Sequence, residues 1–302
     1  MSELFCIVCT NVIIANEKAH WGLSRLRIGK ARNFFNKHKF PFSLFVTERS
    51  GSARELAAEA AVQKADKIIV LGGDGTVNEV INGILTSGCT QPPPVGIVPC
   101  GSSNDFSKSL GIPQQLHQAC RTIINGKTKY VDIGRAGTHY FCVASSLGLL
   151  TNIAIESIRM KGLSGSRRYM AAALKVIGKI TAGWEMNISA DDKIFQGVYG
   201  VLLVNNTPRF GGMTLAPGAR CDDGVLDCML VEMMNKRQAL RMMFLATGRA
   251  LARHPKVAIF RTKSLSVRLE PPALLNNDGE TYPDSFSEID YRILPRKLQI
   301  IC

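Results

Sequence analysis

The chain has 302 residues, of which 46% are hydrophobic and 20% are charged, and its formal net charge is +13. The apolar content excludes a disordered chain, and the length suits two domains or one large domain. Aromatic residues are only 7% of the chain and no nucleic-acid-binding motif is present, so the positive charge favours an anionic membrane surface or phosphorylated ligands over nucleic acid.

The first 135 residues alternate between strand and helix patterns. This alternation predicts an α/β fold in which helices cover both faces of a parallel sheet, a three-layer arrangement. The predicted strands are 4–8, 42–47, 67–71 and 95–99, and the predicted helices are 22–38, 52–64, 77–85 and 116–125.

After about residue 132 the strands become short and are separated by Gly, Asn, Asp and Pro turns. This pattern predicts an antiparallel sandwich or barrel. Its strands are 140–144, 184–190, 193–205, 225–231, 264–269 and 298–301, and its helices are 167–180 and 236–253. We therefore expect an α/β domain at 1–135 and a β-rich domain at 136–302, with a segment of about 287–302 returning to the first.

No apolar run approaches the ~20 residues that cross a bilayer, and the N-terminal residues resemble a strand rather than a signal peptide. The chain has nine cysteines, and the pair Cys6 and Cys9 lies in an apolar run without further metal ligands. We expect buried, reduced thiols and a cytoplasmic protein that associates peripherally with the inner face of the membrane. The sequence gives no indication of the oligomeric state.

The strongest local signal is a glycine-rich turn between a β-branched strand and a helix, formed by Gly72, Gly73, Asp74, Gly75 and Thr76. Exposed backbone N–H groups and the helix N-terminus together favour a bound phosphate. A carboxylate beside a phosphate favours Mg²⁺ between them. Thr76 and Glu79 also have the spacing of a capping box, which needs no ligand.

A second turn repeats this construction after the strand at 95–99. It contains Gly101, Ser102, Asn104 and Asp105, and Ser102 with Asp105 again has capping-box spacing. Both turns follow parallel strands, and ligands of open α/β sheets bind at the carboxyl ends of such strands.

These motifs, taken together, resemble the diacylglycerol kinase catalytic domain, and the soluble bacterial lipid kinases most closely; sphingosine and ceramide kinases share the domain. Besides the two turns, the resemblance includes residues 131–134, 206–217, 222–227 and 277–280. It implies an ATP-dependent lipid kinase whose active site lies in the cleft between the two domains, with Mg²⁺ and ATP on the turns and a diacylglycerol-like lipid as acceptor.

The same resemblance assigns roles to individual residues. Asp278 would be the general base for the lipid hydroxyl, with Glu280 beside it. Asp74, Asp105 and Asp132 would hold Mg²⁺ through waters, and Asp223 would bind a second cation with the carbonyls of Arg220 and Val225. The implied nucleotide-binding residues are Asn16, Gly72, Gly73, Asp74, Gly75, Thr76, Glu79, Gly101, Ser102, Asn104 and Asp105.

Simpler interpretations exist for two of these motifs. Asn277-Asp278-Gly279 is also a favourable hairpin turn, and the turn at 222–224 could be a solvated type I′ turn. The first loop departs from the family pattern, because Glu17 and His20 stand where Pro and Gly are usual. Glu17 would repel nucleotide phosphates unless a cation or Lys18 compensates it.

The helix predicted from residue 236 combines methionines with lysine and arginine. It could be a core-packing helix with a solvated face, or it could dock on an anionic membrane, with Arg167 and Arg168 contributing. Two alternatives to a lipid kinase remain at this point: a kinase of a soluble substrate such as an NAD kinase, and a catalytically weak nucleotide or lipid sensor.

Overall fold

The computed structural model describes residues 11–18, 23–160, 162–163, 165–245, 251 and 253–302. The predicted strand at 4–8, the CxxC pair and His20 lie outside these residues. The described chain divides into two compact units. The first unit contains the residues up to Val131 and the segment Arg296–Cys302, and the second unit is Asp132–Pro295. The predicted boundary was four residues later, and the returning segment begins at Arg296 rather than near residue 287.

The first unit alternates strands and helices. Three of its strands, at Asn11–Ala15, Lys67–Gly72 and Val95–Pro99, are rich in β-branched residues and almost completely buried. This burial explains why they form the centre of the sheet. The elements are β1 (Asn11–Ala15), α1 (Leu23–Lys37), β2 (Ser43–Val46), α2 (Ser52–Val62), β3 (Lys67–Gly72), α3 (Asp74–Thr86), β4 (Val95–Pro99), α4 (Asp105–Ser109) and α5 (Leu116–Asn125).

The sheet of this unit has the order β2–β1–β3–β4, and each adjacent pair is parallel. The chain's C-terminal residues add one more strand, because Ile300 pairs with Val95 in parallel. The carboxyl ends of β1, β3 and β4 therefore lie at one edge of the sheet. This arrangement brings the loops after these strands to that edge.

The core of the first unit lies between the sheet and helices α1 and α5. Ile69 and Leu71 of β3 pack with Phe35 of α1 and Ile123 of α5 in one buried cluster. Helix α2 is rich in alanine and packs against α3, and its alanines at 53, 57, 60 and 61 are buried. Small side chains allow such helices to approach closely.

The second unit is mainly antiparallel and includes helices that the sequence did not all predict. The chain enters it within β5 (Thr128–Ala136) and leaves it within the last strand. The elements between are β6 (His139–Phe141), β7 (Ala144–Gly148), α6 (Leu149–Arg159), α7 (Gly165–Gly178), β8 (Trp184–Ala190), β9 (Lys193–Asn205), β10 (Arg209–Phe210), β11 (Met213–Thr214), β12 (Leu226–Glu232), α8 (Lys236–Leu245), β13 (Val257–Thr262), β14 (Ser264–Asn277) and β15 (Glu280–Ile301).

Strand β9 organises this unit. It pairs with β12 along one edge and with β7 and β8 along the other, and β14 pairs with both β7 and β8. Strands β7 and β8 thus lie end to end between β9 and β14. The buried faces of these strands form one core that includes Leu202, Val204, Leu230, Val267 and Tyr291.

Several predicted elements have the observed bounds, namely the helix at 116–125 and the strands at 184–190 and 193–205. Others were wrong in extent. The strand expected at 264–269 continues to Asn277, and the one expected at 298–301 begins at Glu280. The sequence analysis missed α6 and β13. The helix predicted at 236–253 is helical over Lys236–Leu245, and most of its remainder lies outside the described residues.

The cysteines in the described residues are free thiols, as predicted. Five of these seven are buried: Cys100, Cys120, Cys142, Cys221 and Cys228. Burial raises the pKa of Cys120 to about 12 and also raises that of Cys100, although Arg27 partly opposes the effect at Cys100. These thiols are structural apolar groups rather than reactive ones.

Candidate active site

The two glycine-rich turns of the first unit touch backbone to backbone. A Cβ on Gly101 would lie 2.5 Å from the Cα of Gly73, and a Cβ on Gly73 would lie 3.0 Å from the Cα of Gly101. The Cys100 N–H donates to the Gly72 carbonyl at 2.8 Å, which continues the pairing of β3 and β4 into the turns. Only glycine allows this approach, so the two turns form one surface.

Helix α3 begins at Asp74, three residues earlier than predicted, with Gly73 as its N-cap residue. Its first backbone hydrogen bond runs from the Val77 N–H to the Gly73 carbonyl at 3.0 Å. Gly75 and Thr76 therefore lie in the first turn, where a helix has no carbonyls of its own for the N–H groups. The positive end of the helix dipole lies at the same place.

The capping box predicted for Thr76 and Glu79 is wrong, because both residues lie inside α3. The Glu79 carboxylate instead accepts the N–H of Ala53 at 3.1 Å and the Ser50 hydroxyl at 3.5 Å. Glu79 thus caps the N-terminus of α2, where a negative charge is stabilising. Its observed role is to hold a neighbouring helix.

Asn16 connects the first loop to α3. Its side-chain amide donates to the Thr76 hydroxyl at 3.1 Å, and its side-chain carbonyl accepts the Lys18 N–H at 3.0 Å. Its backbone N–H donates to the Leu71 carbonyl at 3.0 Å. The predicted nucleotide-binding residues Asn16 and Thr76 are therefore neighbours, and their mutual contact fixes the first loop beside the turn.

The second capping box, of Ser102 and Asp105, is also wrong. Asn104 is the N-cap residue of α4 in a left-handed conformation, with φ at 52°, which asparagine tolerates better than most residues. Its side chain accepts the Gly101 N–H at 2.9 Å and donates to the Gly101 carbonyl at 3.1 Å. Asn104 thus fixes the shape of the second turn, while Ser102 is half-buried within it.

Asp74 links the two turns. Its Oδ1 accepts the backbone N–H of Phe106, in α4, at 3.1 Å. Asp105 precedes Phe106 and is 3% exposed. Among the described residues, no three Asp, Glu, His or Cys side chains converge as a metal site. Two carboxylates on joined turns still fit Mg²⁺, which usually takes one or two carboxylates together with waters and phosphate oxygens.

Of the two compensations expected for Glu17, a nearby cation or Lys18, the structure shows the first. Arg25 lies 3.8 Å from the Glu17 carboxylate, and the Ser24 hydroxyl donates to the Glu17 carbonyl at 2.7 Å. The Lys18 ammonium instead donates to the Glu48 carbonyl at 2.6 Å. Arg25 from α1 is therefore the cation that offsets the unusual carboxylate.

In the second unit, Asp278 lies at the tip of a hairpin between β14 and β15. Asp278 and Gly279 have φ values of 53° and 93°, and Asn277 pairs with Glu280 across the turn. This two-residue loop with two positive φ values is the predicted Asn-Asp-Gly hairpin. Glu280 is the first residue of β15 and is half-buried.

The Asp278 side chain is not a solvated turn residue, since Asp278 is 7% exposed. Its Oδ2 accepts the Cys142 N–H at 2.7 Å, and its Oδ1 accepts those of Val143 and Ala144 at 2.8 and 3.0 Å. Three backbone donors hold the Asp278 carboxylate in one orientation.

Asn206 supports the same loop, and the sequence analysis quoted it in a motif without a role. Its amide donates to the carbonyls of Asp132 and Cys142 at 2.9 and 2.8 Å. No protein group in the described part of the chain bonds to the Asn206 side-chain carbonyl or to the buried Thr207 hydroxyl. Both residues are completely buried, so these oxygens are interior polar groups without a protein partner.

Asp132 and the turn at 222–224 are joined by a hydrogen bond. The Gly224 N–H donates to Asp132 Oδ2 at 2.7 Å, and the Asp132 N–H donates to the Cys221 carbonyl at 2.7 Å. Asp132 is 1% exposed. In the structure this predicted magnesium residue stabilises the turn that carries Asp223.

A cation already accompanies Asp223. The Arg261 guanidinium contacts the Asp223 carboxylate and lies 3.3 Å from that of Asp227. Arg220 pairs with Asp222 at 3.0 Å. Burial raises the pKa of Asp227, and Arg261 opposes this effect. The predicted second-cation residues Arg220, Asp223 and Val225 therefore do not fit a metal ion as they stand, because an arginine neutralises the carboxylate.

The second unit contains an apolar cavity of about 150 Å³ that the sequence did not reveal. Helices α6, α7 and α8 and strands β9 and β12 supply most of its wall, and one carboxylate, Glu232, is present. Methionine side chains are flexible and adapt to ligands of variable shape. Six of the ten methionines line the cavity: Met170, Met213, Met229, Met234, Met242 and Met243.

Tyr169 belongs to the cavity wall and also reaches the Asp278 hairpin. A Cβ on Gly279 would lie 3.8 Å from the Tyr169 hydroxyl, and a Cβ on Gly211 would lie 3.1 Å from its ring. The ring also packs edge-on against Phe210 at 6.3 Å. The polar end of Tyr169 therefore lies next to the hairpin of the candidate base, while its ring faces apolar groups.

Two family models together match nearly all of the chain. The model of the diacylglycerol kinase catalytic domain matches residues 10–136, and the model of the YegS C-terminal NAD kinase beta sandwich-like domain matches residues 143–302. A diacylglycerol kinase of Staphylococcus saprophyticus is 35% identical over 81% of this chain and 80% of its own length. The chain belongs to the diacylglycerol kinase family.

Further relatives agree with this assignment to the diacylglycerol kinase family. The diacylglycerol kinase of Bacillus subtilis is 30% identical and covers 89% of this chain and 88% of its own length. A crystal structure assigned as a diacylglycerol kinase from Bacillus anthracis superposes with a TM-score of 0.79 at 26% identity, with 96% of each chain covered.

The resemblance seen in the sequence is confirmed, and so is the assignment as a lipid kinase, an enzyme that uses ATP. The matches also confirm an α/β fold with a catalytic N-terminal domain and a β-sandwich-like C-terminal domain. Within the described residues, no helix is both long and apolar enough to cross a bilayer.

Proposed function

We propose that the protein transfers the γ-phosphoryl group of ATP to the hydroxyl group of a diacylglycerol-type lipid. The observation that carries this proposal is the shared position of Tyr169, in the wall of the apolar cavity and beside the Asp278 hairpin. A lipid with an acyl chain in the cavity would have its polar end at Tyr169. Its hydroxyl would then lie near the carboxylate that we assign as the general base.

Asp278 suits the role of base in three respects. It is buried, it accepts three backbone N–H groups, and these groups, from Cys142, Val143 and Ala144, fix its orientation. A neutral alcohol becomes a stronger nucleophile when a positioned carboxylate takes its proton during transfer. We assign this proton to Oδ2, which accepts one backbone N–H, whereas Oδ1 accepts two. Glu280, half-buried at the start of β15, would contact the lipid head group.

The nucleotide would bind the first unit at the joined glycine-rich turns. The first turn of α3 offers the N–H groups of Gly75 and Thr76 to phosphate oxygens, and the helix dipole adds to their attraction. Asn16 and Asn104 hold the adjoining loops in place through their own hydrogen bonds. Phosphoryl transfer depends mainly on such positioning and on charge neutralisation.

We propose that the carboxylates of Asp74 and Asp105 bind Mg²⁺. Asp132 stays a predicted third carboxylate for the same ion. When bound, Mg²⁺ neutralises charge on the phosphate oxygens. The turn at 222–224 needs no second metal in this account, since Arg261 already provides a positive charge to Asp223 and Asp227.

The test of the proposal is a comparison of acceptors. The protein is incubated with labelled ATP, Mg²⁺ and either a long-chain or a short-chain diacylglycerol, and labelled lipid is separated and counted. We expect labelled phosphatidic acid from both acceptors. NAD is included as a soluble acceptor because the C-terminal model is described as NAD kinase-like. Labelled NADP with no labelled lipid would overturn the proposal in favour of the soluble-substrate alternative.

A cavity variant sharpens this comparison. Ala173→Phe places a ring at a buried position of the cavity wall. We expect it to raise the KM for the long-chain acceptor at least tenfold and to affect the short-chain acceptor less. Gly178→Ala, at the end of the same helix with nothing within 4 Å of the added Cβ, is the matched control. Equal effects of Ala173→Phe on both acceptors would contradict a role of the cavity in acyl-chain binding.

A further inference from the structure

The three helices that wall the apolar cavity also expose large apolar side chains. Ile158 on α6 is 62% exposed, Leu174 on α7 is 48% exposed and Leu240 on α8 is 37% exposed. Helix α7 packs against both α6 and α8. One exposed leucine is ordinary on a protein surface, but exposed aliphatic groups on each of three associated helices form a more unusual feature.

Basic residues greatly outnumber acidic residues on these helices. They carry seven basic residues and a single acidic one, Glu156. Glu156 is already neutralised, because Lys175 bonds to it at 2.5 Å and Arg159 lies at 4.0 Å. The remaining basic residues therefore form a positive surface: Arg167, Arg168, Lys236, Arg237 and Arg241.

Helix α8 shows the arrangement most clearly. Lys236, Arg237, Leu240 and Arg241 are all exposed, and their helical spacing groups them around one part of the helix surface, while Ala239, Met242 and Met243 line the cavity. In the part of the chain that the structure describes, none of these three cations has an ion-pair partner. On α7, exposed Leu174 lies on the same outward side as Arg167 and Lys175.

We propose that the outward faces of α6, α7 and α8 form a docking surface for an anionic lipid bilayer. Aliphatic groups between cations match the boundary between acyl chains and anionic head groups. This inference rests on the proposed lipid kinase function and adds to it the route of the substrate. The lipid leaves the bilayer next to the helices whose inner faces line the cavity.

The charge pattern favours a bilayer over the other occupants of such a surface. A second copy of the chain would bring an equally positive face against this one, and the two would repel each other. Nucleic acid would be attracted to the cations but would gain nothing from Ile158, Leu174 and Leu240, which are aliphatic and cannot stack on bases. An anionic bilayer interacts favourably with both kinds of group.

The experiment measures co-sedimentation of the full chain with vesicles of phosphatidylcholine, with or without phosphatidylglycerol. We expect wild type to bind the vesicles that contain phosphatidylglycerol and to be released by salt. Arg237→Ser with Arg241→Ser should weaken binding about 25-fold, on the basis of about fivefold for each cation near an anionic surface. Salt-independent binding, or equal binding to both vesicles, would overturn the electrostatic part of the proposal.

The matched test of the apolar part is Leu240→Glu against Ile194→Glu. Both variants add one negative charge at an exposed aliphatic residue, but Ile194 lies on β9, at 71% exposure, and outside the three helices. We expect Leu240→Glu to reduce vesicle binding at least tenfold more than Ile194→Glu. Equal losses would show that only net charge matters and would overturn the assignment of this face.

A second readout separates this proposal from the proposed function. Leu240→Glu should lose activity on diacylglycerol embedded in vesicles and retain it on short-chain diacylglycerol dissolved as monomers. Loss on both acceptors with normal circular dichroism would overturn the docking role, because it would place Leu240 in catalysis itself. Absence of lipid phosphorylation by wild type would count against the proposed function, while vesicle binding would still test the surface.

Discussion

Gly101→Ala tests whether contact between the two glycine-rich turns shapes the nucleotide site. The added Cβ would lie 2.5 Å from the Gly73 Cα and 2.8 Å from the Asn104 Oδ1, about 1 Å inside ordinary contact. One neighbour is backbone and the other is held by two hydrogen bonds, so neither can move away cheaply. Such overpacking costs about 1–3 kcal/mol. We expect this loss in the free energy of unfolding, measured by urea denaturation.

The same variant should bind ATP at least tenfold more weakly by calorimetry, because separated turns no longer present one surface to the phosphates. Gly29→Ala is the control in the same unit. Gly29 lies in α1 with nothing within 4 Å of its added Cβ, so alanine there should stabilise the protein by about 0.5–1 kcal/mol and leave ATP affinity unchanged. If Gly101→Ala kept both the stability and the ATP affinity of wild type, the reasoning about joined turns would be wrong.

Three further predictions concern ionisable groups. Arg261→Gln should gain a rise of the thermal midpoint with added Mg²⁺ that depends on Asp223, because the carboxylate has lost its arginine. Wild type should have no such Asp223-dependent response, so a response of wild type that Asp223→Asn abolishes would contradict this. Burial raises the pKa of Asp227 above its ordinary 3.8, so its favourable contribution is complete below that value and is lost as pH rises through the folded pKa. Arg261 opposes this rise, so the urea midpoint of Arg261→Gln should fall more steeply than that of wild type as pH rises above 3.8. Parallel profiles would argue against this reasoning. With a pKa of about 12, the Cys120 thiol is ionised in on the order of one molecule in ten thousand at pH 8. Iodoacetamide should therefore label Cys120 only after the chain is unfolded. Rapid labelling of the native chain would disagree with the burial of this thiol.

Local patterns in the sequence predicted the order of elements well, because strand and helix periodicities are local properties. The helix at 116–125 and the strands at 184–190 and 193–205 have the predicted bounds. The glycine-rich turns were also recognisable, since few other structures require three glycines within four residues. The start of α3 at Asp74 was missed because glycines at 73 and 75 suggested a loop.

Roles that depend on distant partners could not be predicted in this way. Thr76 and Glu79 have capping-box spacing, but Glu79 accepts the Ala53 N–H, 26 residues away in sequence. Asp278 accepts N–H groups from residues more than 130 positions earlier. No spacing rule connects such positions, so only the family resemblance pointed to these residues, and nothing pointed to their contacts.

The cavity was hidden for the same reason. Its six methionines extend from Met170 to Met243 and lie on five different elements or loops, so no local pattern marks them. The sequence showed a methionine-rich basic helix, and the structure shows that its methionines are buried or half-buried while its cations are exposed. Met243 faces the cavity, while Lys236 and Arg237 are exposed.

The most direct test of the account is lipid phosphorylation by Asp278→Asn. The asparagine can still accept the N–H groups of Val143 and Ala144, but its amide would face the Cys142 N–H, which costs about 1–3 kcal/mol. The assay is therefore run at a temperature where circular dichroism and ATP binding show a folded variant. The account predicts labelled diacylglycerol product from wild type and a rate about 100- to 10,000-fold lower from the variant. Equal rates from the two proteins would contradict the assignment of Asp278 as the base.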